Sequence, residues 1–146
     1  MKTLRRQGRA FALQLLYQTE VGQAADPRSQ ERFWERSKAS KKAGLFARGL
    51  VEQTLEHREE IDRVLTAVME NWRLERLPVV VRNVLRLAAC EMRIIASEPV
   101  AVVINEAVEL TRTFMDEDSA RFVNGVLERL HRRVEDPVPP PAVETG

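Results

Sequence analysis

A chain of 146 residues is a normal length for one compact domain, and a composition that is 44% apolar supplies a sizeable core. Lysines and arginines number 23 against 22 acids, so the formal charge of +1 does not by itself suggest nucleic acid, and the distribution of charge matters more than its sum. Cys90 is the only cysteine, which excludes an internal disulfide. Gln7, Gly8, Arg9 and Gln14 interrupt the N-terminus, so no secretory signal is expected, and no apolar stretch is long enough to span a bilayer. The expected location is the cytoplasm.

Valine and isoleucine recur at helical spacing and not in alternation, which predicts an all-α chain. The first helix is expected from about Thr3 to Glu20, burying Leu4, Phe11, Leu15 and Leu16. Gly22 and the stretch from Ala24 to Ser29 break it. A short helix around Phe33 and Trp34 follows. The next carries Ala43, Phe46, Ala47 and Leu50 and ends near His57. Ile61, Val64, Leu65, Val68 and Trp72 then form one apolar stripe.

Pro78 suits the first position of the following helix. That helix buries Val81, Val84, Leu85, Ala88, Met92 and Ile95, and its narrow polar wedge puts it at the centre of the fold. Ser97, Glu98 and Pro99 end it. Val103, Ala107, Leu110 and Phe114 make the next stripe. Asp116 or Asp118 can cap the last helix, which buries Val123, Val126, Leu127, Leu130 and Val134. The expected architecture is a compact bundle of about seven helices. The break near Arg73–Pro78 divides it into helical subdomains at 1–75 and 76–134, followed by a disordered proline-rich tail at 135–146.

Lys2, Arg5, Arg6 and Arg9 all precede the first acid, Glu20, and fall on the helix face opposite Leu4, Gly8, Phe11 and Leu15, together with Leu13 and Tyr17. A face with no acid of its own presents a positive field. Cations that follow a phosphate chain, with an aromatic ring in line, suit single-stranded nucleic acid. A solvated bundle face with Tyr17 reaching to water is the plainer alternative. A second cationic stretch holds Arg36, Lys38, Lys41 and Lys42. Mid-helix Gly8 and Gly125 both suggest close packing against a neighbour. Phe122 lies at the edge of its stripe, as a core-edge residue or a stacking platform, whereas Phe114 reads as core.

No catalytic site assembles. His57 and His131 lack partners at triad or metal spacing. Glu128 and His131 make half of a di-iron motif whose second half is missing, since Thr54 stands where His57 would need a glutamate. There is no glycine-rich phosphate loop. Neither a metal nor a cofactor is expected, and the chain is expected not to be an enzyme.

Several motifs, in order, resemble the NusB family. Arg5-Arg6-Gln7-Gly8-Arg9-Ala10 with Leu15-Leu16-Tyr17 is similar to its arginine-rich first helix, and Val84-Leu85-Arg86-Leu87-Ala88 with Glu91 to its central helix. The most specific stretch is Ile104-Asn105-Glu106-Ala107-Val108-Glu109-Leu110, then Phe114, Glu117-Asp118-Ser119 and Phe122-Val123-Asn124-Gly125-Val126-Leu127. The resemblance runs from Arg5 to about Leu130. It implies a transcription antitermination factor of two helical subdomains. Such a factor binds single-stranded boxA RNA, pairs with the small-subunit ribosomal protein NusE, and joins antitermination complexes on RNA polymerase. Some members of the family self-associate as homodimers. Carried over by position, the RNA-binding residues are Lys2, Arg5, Arg6, Arg9, Tyr17, Phe114, Asp118 and Phe122, and Glu75 and Arg86 belong to the NusE contact or its vicinity. Gln7 and Val81 depart from the pattern, standing where some relatives have an arginine and an acid. Two other readings stay open: a protein-only helical adaptor, and a detached RNA-targeting domain of an RNA cytosine methyltransferase.

Overall fold

The computed structural model describes residues 4–20, 41–69 and 72–135, the side chains of Val134 and Glu135 excepted. Within these residues the chain is all-helical. Helix α1 spans Leu4–Glu20, α2 Lys41–Glu56, α3 Arg58–Val68, α4 Val79–Cys90, α5 Val100–Phe114 and α6 Glu117–Glu135, with one 3-10 turn at Leu74–Arg76. The expected helix around Phe33 and Trp34, Lys2, the cations Arg36 and Lys38, the side chain of Val134 and the tail from 136 onward lie outside the described residues.

Helix α4 is the axis of the fold. From Val81 to Cys90 every residue but Arg82 is buried, and α1, α2, α3, α5 and α6 all pack on it. Leu50, Ile61, Leu65, Leu85, Leu127 and Leu130 form the most deeply buried apolar set. Each such side chain contributes about 1.5–3 kcal/mol by leaving water. Pro78 and Pro99 sit one position before the first helical residues of α4 and α5, and the Pro78 carbonyl accepts the Arg82 N–H at 3.0 Å. The missing proline N–H costs nothing there.

The expected straight run to Ile95 is replaced by a wider turn. Glu91–Ile95 is π-helical, and the Ala96 N–H closes it on the Glu91 carbonyl at 2.9 Å. Ala96 lies in the left-handed region at φ 50. This wide turn follows Cys90 directly and sets Glu91 at the edge of the core, against α1.

Three apolar assignments need correction. Leu4, the first residue of α1, is 41% exposed and not buried. Trp72 is 58% exposed, because α3 stops at Val68 and the helical stripe does not extend to residue 72. Phe114 is 43% exposed, because α5 ends there and the chain turns away through Met115 into α6. Gly8 does meet a close neighbour: a Cβ there would lie 2.5 Å from Phe46 Cδ2 and 3.1 Å from the Ala43 carbonyl oxygen. Gly125 does not, since a Cβ would meet only Arg129 Nη1 at 3.8 Å.

Candidate nucleic-acid interface

The arginine face of α1 is not the bare cationic strip that the local sequence suggests. Arg9 is only 5% exposed. Its Nε and Nη2 donate to the two Glu91 carboxylate oxygens at 2.8 Å each, and Nη2 also donates to Glu98. Burial opposes the charge on Arg9, but the hydrogen bonds and charges of Glu91 and Glu98 outweigh it and hold the guanidinium above its ordinary pKa. Leu13, expected on the same solvated face, is buried as well.

The neighbouring cations are paired nearer the surface. Arg5 donates to Ser97 at 3.2 Å and pairs with Glu98 at 2.9 Å. Arg6 forms a two-pronged pair with Glu106, Nε to Oε2 at 2.8 Å and Nη2 to Oε1 at 3.0 Å. The hydrogen bond and charge of Glu106 raise the pKa of Arg6 above its usual value. Arg5 and Arg9 both lie over the Phe46 ring, 5.5 and 5.6 Å from its centroid. The acids come from the π-helical turn and loop after α4 and from α5, so the face is neutralised in space although not in sequence.

Between α1 and α5 runs a groove of about 430 Å³, lined among others by Arg6, Ala10, Phe11, Glu106, Leu110 and Phe114. Arg6 and the half-exposed Phe114 ring are thus brought to one surface. Tyr17 is 44% exposed, and it continues the helical stripe of Arg6, Ala10 and Gln14. Phe122, partly buried on α6, meets Trp72 edge-on, with centroids 5.8 Å apart at 76°. The exposed Trp72 is the aromatic that sequence reasoning missed. No sequence signal marked it, since Trp72 continues the spacing of Ile61, Leu65 and Val68 and only the observed end of α3 at Val68 leaves it uncovered.

The two candidate caps of α6 separate cleanly. Asp116 Oδ1 accepts the Ser119 N–H at 2.7 Å, and that backbone bond, with the Ser119 hydroxyl, lowers the Asp116 pKa. Asp118 is not the cap. It points to solvent and pairs with Arg121 one turn on, at 2.8 Å. Glu75 is exposed on the 3-10 turn, and its carbonyl accepts from Arg82 Nη1 at 3.1 Å. Arg86 is placed differently from Glu75. It is buried in α4, donates from Nε and Nη2 to Asp62 at 2.8 and 3.0 Å, and reaches Asn83 at 3.3 Å. Such a guanidinium braces α4 against α3 and does not present itself at the surface. Lys41 and Lys42 open α2, exposed. Cys90 is fully buried, and desolvation raises its pKa.

Among the described residues no group of three or more His, Cys, Asp or Glu could hold a metal ion, and no helix is long and apolar enough to cross a membrane.

Comparison with known proteins places this geometry in context. The family model described as NusB matches residues 6–132. The transcription antitermination protein NusB of Myxococcus xanthus is 45% identical over 130 residues, covering 86% of this chain and 93% of that protein. A solved structure of T. maritima NusB superposes with a TM-score of 0.78 at 36% identity, covering 90% of this chain and 93% of that one. A crystal structure of antitermination factors NusB and NusE in complex with double-stranded RNA superposes with a TM-score of 0.78 at 30% identity, covering 90% of this chain and 98% of that one.

Proposed function

Because the chain belongs to the NusB family, we propose that it is a transcription antitermination factor, a non-catalytic cytoplasmic protein that binds RNA together with NusE and joins the antitermination complex on RNA polymerase. The observation that carries this reading is the likeness, over 90% of the chain, to a structure in which NusB and NusE hold RNA. That RNA is a duplex. The preference for single-stranded boxA rests on the family resemblance and on the exposed aromatics Tyr17 and Phe114, whose planes suit unpaired bases.

On this reading Arg5 and Arg6 meet phosphate, and Lys2 adds charge ahead of them. Tyr17, Phe114 and Phe122 offer ring planes, and Asp118 accepts a base N–H. Arg9 acts indirectly, by fastening α1 to α4. Glu75 is the direct contact for NusE, and Arg86 supports that region from the interior. The two-subdomain division at 1–75 and 76–134, with a seventh helix in the segment before α2, belongs to the same proposal. The packing of α1 on α2 and of α5 on α6 supports two helical groups, while α3 lies chiefly against α4 and α6, on the far side of that boundary. The adaptor reading draws support from one observation: the arginines of α1 already hold carboxylates.

Titration of labelled boxA RNA, a scrambled strand and a boxA duplex, each with and without NusE, tests the proposal. Selective binding of the boxA strand, tightened by NusE, is the expected result. NusE binding with no affinity for any RNA would leave the adaptor.

A further inference from the structure

We propose that Glu106 is an internal competitor for the phosphate seat on Arg6, an autoinhibitory contact between α5 and α1 that RNA must displace. The inference rests on the RNA-binding reading above and names how that same site is regulated.

The geometry carries it. A guanidinium has five N–H donors in a rigid fork, and its Nε–Nη2 edge is the one that matches a carboxylate or phosphate in two-pronged fashion. In Arg6 that edge is filled by both oxygens of Glu106, at 2.8 and 3.0 Å. The Arg6 side chain is 44% exposed and that of Glu106 15%, so the cation faces solvent and the acid lies beneath it, on the wall of the α1–α5 groove. A phosphate therefore approaches an arginine whose best edge is occupied by an anion of similar shape. It gains that edge when the pair opens.

Glu98 is a poorer candidate for such exchange. It also holds the buried Arg9, and its departure would remove one of that cation's two carboxylates. Opening the Arg6–Glu106 pair leaves both carboxylates on the buried Arg9 in place.

Opening the pair leaves a carboxylate without its partner, and that carboxylate takes up a salt cation from solution. This uptake offsets part of the counterion release that accompanies phosphate neutralisation. With Glu106 present, affinity is lower and the salt dependence shallower than the arginine alone would give. An exposed ion pair contributes about 0.2–1 kcal/mol, so its removal corresponds to about 1.4- to 5-fold in affinity. The recovered single-strand contact steepens the salt slope by up to roughly 0.7.

The experiment is a cycle of Glu106→Gln, Arg6→Ala and the double variant in the full chain, with boxA RNA titrated at several salt concentrations and melting curves recorded beside them. Glu106→Gln is expected to bind tighter, by about 1.4- to 5-fold, and with a steeper slope than the parent. In the Arg6→Ala background the same change is expected to do nothing. Glu106→Asp, which keeps the charge but withdraws it by one methylene, is expected to fall between parent and Glu106→Gln. An unchanged or weaker affinity for a folded Glu106→Gln variant would overturn the proposal. An equal gain in the Arg6→Ala background would overturn it too, by showing general charge repulsion. If the parent binds boxA selectively and these outcomes occur, only this inference falls. If neither parent nor variants bind any RNA, the RNA-binding reading falls and takes this one with it.

Discussion

Gly8 of α1 and Phe46 of α2 interlock: the ring edge occupies the space where a side chain at residue 8 would begin, 2.5 Å from the Cβ position. Alanine is favoured over glycine in a helix by roughly 0.8–1 kcal/mol. Forcing a methyl group into a packed contact costs about 1–3 kcal/mol. The ring can tilt, but the Ala43 carbonyl oxygen at 3.1 Å is backbone and cannot. Gly8→Ala is therefore expected to lower stability by about 1 kcal/mol net, read from the denaturant midpoint. A more stable variant would mean that the helices part without strain.

The buried pair of Arg9 and Glu91 has a different consequence from the exposed pair of Arg6 and Glu106. Removing one partner of a buried pair leaves an uncompensated charge and costs about 3–5 kcal/mol. Arg9→Ala is expected to lower the unfolding free energy by that amount, whereas Arg6→Ala moves the melting midpoint much less and flattens the RNA salt slope by less than the roughly 0.7 of an unopposed phosphate contact. Chemical unfolding of both variants beside RNA titration separates the roles. A fully stable Arg9→Ala variant would return that residue to the list of phosphate contacts.

Phe114 is expected to matter for RNA and not for the fold. Its ring is 43% exposed at the end of α5, so truncation opens no cavity in the core. Stacking on a base is worth about 1–3 kcal/mol, and Phe114→Ala should weaken boxA binding accordingly, with Phe114→Tyr retaining most of it. Loss of stability without loss of affinity would assign the ring to packing.

Asp116 and Asp118 differ in what mutation does to them. The folded-state pKa of Asp116 is lowered, so its capping contribution is present above the unfolded value and is lost as pH falls through the folded one. Asp116→Ala is expected to lower the melting midpoint by roughly 3 °C near neutrality, with the difference from the parent shrinking in acid. Asp118→Asn should leave the midpoint near neutrality almost unchanged, since it removes only an exposed pair with Arg121, while altering RNA affinity more than Glu59→Gln does. Calorimetry from pH 7 down to pH 3 checks the first half, and titration with boxA RNA the second.

The helices were readable because 3.6-residue spacing repeats through Leu15, Leu50, Leu65, Leu85, Val103 and Leu127, all of them buried. The ends of those stripes were not. Trp72 and Phe114 continue the spacing, but the neighbour that would cover them is absent once a helix has stopped. The charge state of α1 was unreadable for a related reason. Arg9 meets acids 82 and 89 residues away, and a window that contains no acid says nothing about what packs against it. The cap of α6 was legible as a choice between two aspartates, and only backbone geometry decides between them.

Helix α1 is fastened to α4 at two heights, by Arg9 on Glu91 and by Glu20, which takes hydrogen bonds from Arg82 and from Asn83 at 3.0 Å. Two anchors on one antiparallel neighbour prevent both sliding and tilting. The stretch between Arg6 and Tyr17 then behaves as a ruler of about 16 Å, its length fixed by the 1.5 Å rise of each residue. On the proposed function, a strand laid along it would meet cation and ring at a separation set in advance. The ordering cost of that spacing is met when the protein folds, and the fit becomes a matter of length as much as of charge.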